Sequence, residues 1–239
     1  MILDNFFNIS PEQLDRIAEK IYQNECARKR EFLVWWSENE EFPSLGIGHF
    51  LWFPDNLKVP FEASFNKFLD ICIYNDIEIP DILKNYNDGC IWSNRNEYLD
   101  PKNSDQIEQI KIWLENTKDV QAEFLYQRAL NMLEDIIEYD PATKINIEKL
   151  LASDIGKFVV IDYINFKGSG LHFTERYNGQ GWGLLQVLQN MKFNPDPADA
   201  FTKSAIDVLK NRIKNSPPER NEEVFLDGWI KRFESYLTV

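Results

Sequence analysis

"EFPSLGIGHFLWFP", residues 41–54, is the stretch on which the reading of this chain turns. It is mostly apolar, yet it holds two glycines and one of the chain's 2 histidines. Glycine inside a strand marks a bulge or the close approach of another group. Period-two alternation puts Pro43, Leu45, Ile47 and His49 on one face, with Ser44, Gly46, Gly48 and Phe50 on the other. Near its start, that second face is bare backbone plus one hydroxyl. Just upstream, "EFLVWW" (31–36) is β-branched and aromatic, and "SENEE" (37–41) is a polar turn. The two apolar runs and the turn between them predict a hairpin.

The segment before the hairpin predicts a helix. Ser10, Pro11 and Gln13 read as an N-cap, a proline at the first helical position and a capping-box glutamine. Leu14, Ile17, Ala18, Ile21 and Tyr22 then recur at the spacing of one buried stripe. Glu25 continues that stripe: eleven residues after Leu14, it lies about 20° away on a wheel of 3.6 residues per turn. A carboxylate on the apolar face at a helix end, followed at once by a bare strand, suggests that the helix terminus seats on the glycines. The plain alternative is a glutamate turned to solvent.

After Pro54 helical periodicity dominates, over 61–75, 105–117, 120–139, 157–166, 182–192, 198–214 and 220–236, while 76–104 is rich in Pro, Asn, Asp and Gly and reads as irregular. No internal repeat is visible. The expectation is a mostly helical α+β fold in one domain, 1–239. Its small lobe (1–60) is helix plus hairpin and its larger lobe (61–239) is helical, with a binding cleft between the lobes.

Composition narrows the function classes. With 26 basic against 39 acidic residues the net charge is −13, and no basic run exceeds "ARKR" (27–30). A nucleic-acid binder needs a cationic footprint, so nucleic acid is not an expected partner. Three scattered cysteines without a CxxC, and two distant histidines, argue against a disulfide framework or a metal site, and no cofactor is implied. No window reaches the length of a membrane span, so membrane insertion is not expected. "MILDNFFNIS" lacks the basic and apolar regions of a signal peptide, which points to the cytoplasm, or to the periplasm or export if a leader was removed.

Cleaving a glycosidic bond needs one carboxylic acid to protonate the leaving oxygen and, in most enzymes, a second carboxylate to direct water or attack the sugar. Glu25 fits the first role. The turn offers Glu38, Glu40 and Glu41 for the second, with Glu40 preferred and Glu38 next, and Ser44 to hold a water.

The order Glu, hairpin, Ser-Leu-Gly-Ile-Gly-His (44–49) resembles the phage-type lysozymes, which carry a catalytic Glu at the end of their first long helix, an Asp in the hairpin, then Thr-x-Gly-x-Gly-His. The resemblance implies a lysozyme-like fold and muramidase activity on the peptidoglycan of bacterial cell walls. It matches Glu25 to the acid and Ser44 to the Thr, and gives Gly46, Gly48 and His49 a supporting role. The chain departs from the pattern in offering glutamates where the Asp is expected and in its longer hairpin. "INFKGSG" (164–170) and "NSPPERNEEVFLDGW" (215–229) are similar to the family's later segments, matching Lys167, Arg220, Phe225, Gly228 and, one residue early, Trp229. Residues 55–155 have no counterpart.

"ERYNGQGWGLLQVLQNM" (175–191) is similar to the Gly-Leu-Met-Gln segment of lytic transglycosylases and goose-type lysozymes, in which the catalytic Glu comes first. Glu175 is therefore a rival acid, with an anhydro sugar as product. The competing reading is a glycine-bounded helix start whose Leu184, Leu185, Val187 and Leu188 are core. Tyr177, Gln180, Trp182 and Gln186 are candidates to line a sugar groove beside Lys167 and Arg220. A scaffold that binds glycan or protein without catalysis is the non-enzymatic alternative.

Overall fold

The structure, a computed structural model, describes residues 8–59, 63–173, 175–192 and 194–237. The fold is α+β and mostly helical. The described residues form two compact units, one within 11–124 and one made of 125–237 together with 8–10. No helix among the described residues is long and apolar enough to cross a membrane.

The first unit opens with helix α1 (Pro11–Cys26), whose buried stripe is Ile17, Ala18, Ile21, Tyr22 and Cys26. Left-handed backbone at Ala27 and Arg28 ends it. The run expected as strand from 31 begins instead as a 3-10 turn, Arg30–Leu33, and only then extends into β1 (Val34–Trp35). Strands β2 (Ser44–Leu45) and β3 (Phe50–Leu51) complete an antiparallel sheet in the order β1-β2-β3, with Val34 opposite Leu45 and Leu45 opposite Phe50.

The alternation expected through 43–50 therefore stops at Leu45. Gly46–His49 is a turn, closed by the His49 N–H donating to the Gly46 carbonyl at 3.2 Å. Its two ends take left-handed backbone, φ +76° at Gly46 and +47° at His49.

Helices α2 (Ser64–Tyr74), α3 (Arg95–Tyr98), α4 (Ser104–Asn116) and the start of α5 (Lys118–Tyr139) enclose the sheet. Aromatic rings fill the interior. Phe50 stacks on Phe68 at 5.3 Å, Trp52 meets Phe65 at 5.2 Å and Trp92 at 6.0 Å, and Trp92 meets Tyr98 at 5.2 Å. Each such pair contributes about 0.5–1.5 kcal/mol beyond the area it buries. Two side chains from the segment expected to be irregular tie down the sheet: the Tyr98 hydroxyl donates to the Val34 carbonyl at 3.0 Å, and Arg95 Nε to the Trp36 carbonyl at 3.0 Å. Because Phe68 of α2 packs on Phe50 of β3 and the unit runs from Pro11 to Phe124, a lobe boundary at 60/61 does not describe it.

The second unit contains the rest of α5, then α6 (Lys144–Leu151), α7 (Asp154–Lys167), the ribbon β4 (Arg176–Tyr177) and β5 (Gln180–Gly181), α8 (Leu184–Asn190), α9 (Pro197–Asn215) and α10 (Leu226–Glu234). Its helix starts follow capping chemistry: Asp196 accepts from the Ala198 and Asp199 N–H groups, and Ser153 from that of Gly156. Helix α6 was not expected. Its buried residues are Ile147, Leu150 and Leu151, a stripe too short to stand out. The core is built on Phe158, Tyr163, Phe201, Phe233 and Tyr236. It also buries Asp162 completely, held by Arg232 through two bonds of 2.8 Å and by the Tyr236 hydroxyl.

Candidate active site

In the first unit α1 ends against the Gly46–His49 turn. The Cys26 thiol lies 3.8 Å from the carbonyl oxygens of Gly46 and Phe32 and donates to them. One residue earlier, the Glu25 side chain is 13% exposed, with Oε2 3.6 Å from His49 Nδ1. The other ring nitrogen, Nε2, lies 3.3 Å from the Phe32 carbonyl and 3.5 Å from Cys26 Sγ. His49 is thus fixed between the helix end and the start of the sheet, one edge toward the carboxyl.

The glycines receive a residue that the sequence reading did not single out. Gln121 of α5 is fully buried, and its Oε1 accepts from the Ile47 N–H at 2.8 Å. A Cβ at Gly46 would lie 2.3 Å from that oxygen. Gln121 Nε2 in turn donates to the Leu114 carbonyl at 2.7 Å. Its signal in the sequence was a polar residue one turn before the apolar Leu125 on a helix, the same kind of anomaly as Glu25.

The turn glutamates are placed differently. Glu38 is 82% exposed and pairs with Arg95 at 3.6 Å. Glu40 and Glu41 are exposed; the Glu40 backbone carbonyl accepts from Trp36 Nε1 at 2.9 Å, which closes the turn. Ser44 is half-buried in β2 between Trp35 and Leu51.

The sequence Cys26–His49–Glu25 mimics the order of a nucleophile triad, and the chemistry does not follow. A nucleophilic cysteine needs its thiolate and some access. Burial, and then the charge of Glu25, push the Cys26 thiol up to about 12, and the residue is fully buried. Cys26 is a donor here. Among the described residues no group of three or more His, Cys, Asp or Glu is arranged to hold a metal ion.

In the second unit Tyr177, Trp182 and Arg220 lie close together. The β4–β5 ribbon turns tightly through Asn178 and Gly179, both left-handed, and leaves Gln180 exposed. The Tyr177 ring meets that of Trp182 at 4.6 Å, and its hydroxyl donates to Glu222 at 2.8 Å. Glu222 is only 4% exposed and takes a two-pronged grip from Arg212 at 2.7 and 2.8 Å. Burial opposes its charge, but the bonds from Arg212 and Tyr177 prevail and hold the carboxyl below its ordinary range. The Arg212 guanidinium lies 4.1 Å over Trp182. The groove candidate Arg220 is 59% exposed and 3.8 Å from Glu222; the inner position belongs to Arg212. Lys167 lies over the rings of Phe166 and Trp229, at 3.8 and 4.3 Å.

Gln186, named as a groove candidate, makes two internal bonds. It accepts from the Gly183 N–H at 2.9 Å and donates to the Gly170 carbonyl at 3.1 Å. Leu184, Leu185, Val187 and Leu188 are core. The first amides of α8 are occupied as well: those of Leu184 and Leu185 donate to the carbonyls of Gly168 and Ser169, so the glycine run is no phosphate cradle.

Glu175 lies just before the ribbon. Burial raises its carboxyl above the ordinary range, against the charges of His172, Arg128 and Arg212, and its Oε2 is buried with no hydrogen-bond partner among the described residues. No protein-family model, curated protein or solved structure matches this chain.

Proposed function

We propose that this chain is a lysozyme-like glycosidase that cleaves a β-1,4-linked aminosugar polymer, with peptidoglycan as the first substrate, and that Glu25 is its general acid. The observation that carries the reading is the seat of Glu25: a largely buried carboxyl at a helix end, on a turn whose other end places His49 against it. Glu25 protonates the leaving oxygen. Glu40, or Glu38, takes the proton of a water positioned with Ser44, and the water oxygen bonds to the anomeric carbon through an oxocarbenium-like transition state as the glycosidic bond breaks. The acidic surface slows encounter with an anionic wall polymer, so neutral or exposed glycan is the better substrate. The reaction requires no cofactor.

A second reading has its own support. Glu175 carries a buried oxygen with no donor among the described residues, a setting that favours the protonated carboxyl a general acid must supply. Cleavage by one acid, as in the lytic transglycosylases, makes no demand on the exposed turn glutamates.

The test is digestion of purified peptidoglycan by the wild type, Glu25→Gln and Glu175→Gln, with released fragments identified by mass spectrometry. The first reading expects reducing muropeptides and a loss of about 10²–10⁴-fold in Glu25→Gln alone. Anhydro products lost in Glu175→Gln establish the second. No release by folded wild-type protein from this or other glycans sinks both and leaves a binding scaffold.

A further inference from the structure

Along α9, beside the end of α8 and the loop that follows it, lies an open pocket of about 520 Å³ that neither reading uses. Its size is that of a small-molecule site, for which about 300–1,000 Å³ is usual. Asn190 closes α8 on one side, Lys192 and Asn194 follow in the connecting loop, and α9 supplies Lys203, Asp207 and Lys210. The last three are four and then three residues apart, so they share one face of their helix.

The charge of this lining is opposite to that of the chain. Three lysines face one carboxylate, in a protein with 39 acidic and 26 basic residues. Lys203 is already paired, with Asp199 at 2.6 Å, and the Asn194 amide donates to the same carboxylate. Among the described residues no carboxylate lies within ion-pair reach of Lys192 or Lys210. With carboxylates in excess, two unpaired lysines lining one concavity are a local departure from the charge pattern of the chain. Lysine ammonium groups are compact, mobile point charges, and they receive phosphate or carboxylate oxygens without the fixed geometry that arginine imposes.

We infer that this open pocket along α9 binds a compact polyanion, with Lys192 and Lys210 each taking an acidic group and Asp207 limiting the affinity. The site is independent of the glycosidase reading. The test is calorimetric titration of the full chain with pyrophosphate and, separately, citrate, at low and at physiological ionic strength. Binding is expected to weaken with salt. Lys192→Gln and Lys210→Gln should each weaken it about fivefold, and Asp207→Asn should tighten it about threefold, the range of a partly exposed charge contact. Preference for pyrophosphate marks a phosphate-bearing ligand and preference for citrate a polycarboxylate. No heat with either anion at millimolar concentration overturns the proposal. So does binding that is unchanged in a Lys192→Gln/Lys210→Gln double variant whose circular dichroism matches the wild type.

Discussion

Both units contain a glycine run at a tight turn, and the two runs admit different things. At Gly46 the missing side chain makes room for another side chain, the amide of Gln121. At Gly183 it makes room for main chain: a Cβ there would stand 2.1 Å from the Gly170 backbone nitrogen and 2.3 Å from its Cα. A side-chain amide can rotate away at the cost of its hydrogen bonds. A backbone held by the Leu184 and Leu185 amides has nowhere to go. Similar glycine spacing therefore supports a repairable contact in one unit and an unrepairable one in the other.

The sharpest way to break this comparison is substitution at the glycines. Gly183→Ala should cost more than about 4 kcal/mol, enough to lose the soluble fold, since neither neighbour can yield. Gly46→Ala should cost about 3 kcal/mol, part from left-handed backbone and part from displacing Gln121, as read by urea denaturation. Gln121→Ala should cost about 2 kcal/mol by orphaning the Ile47 N–H and the Leu114 carbonyl. The double variant Gly46→Ala/Gln121→Ala should then cost clearly less than the sum, because the clash goes with the amide. Strict additivity would mean that the oxygen is not what Gly46 accommodates.

Smaller still is a pH effect confined to the second unit. The Glu175 carboxyl ionises at higher pH folded than unfolded, so the folded state holds the extra proton. Stability from this group is therefore present at acid pH and lost as pH rises from the ordinary glutamate range through the raised folded value. Glu175→Gln should remove that loss. Its melting temperature relative to wild type should climb over that window and level off above it. A flat difference would show that burial does not govern this carboxyl. Least of all, Glu38→Ala should change stability by under about 0.5 kcal/mol, since an exposed pair with Arg95 contributes little.

What the sequence disclosed follows from the range of the forces involved. Helix α1, its proline start and its stripe were legible because they are set by residues within a turn or two of each other. The hairpin was legible from its polar turn. Extending strand alternation through Gly46–His49 failed because a turn held by Gln121, 74 residues downstream of Ile47, has no local signature beyond its glycines. Arg212 was missed for a related reason. The spacing of a motif marks the neighbourhood, whereas burial of Glu222 selects the arginine that reaches it. Leucines 184, 185 and 188 were read correctly as core, since apolar residues opening a helix need no distant partner to explain them.

The Cys26 thiol, sealed beneath His49 and dependent on the seating of α1, has a practical consequence. It is a built-in clock. An aromatic disulfide reagent can reach it only while the helix end is lifted off the Gly46 turn, so its labelling rate in the native protein times how often the Glu25 seat comes apart.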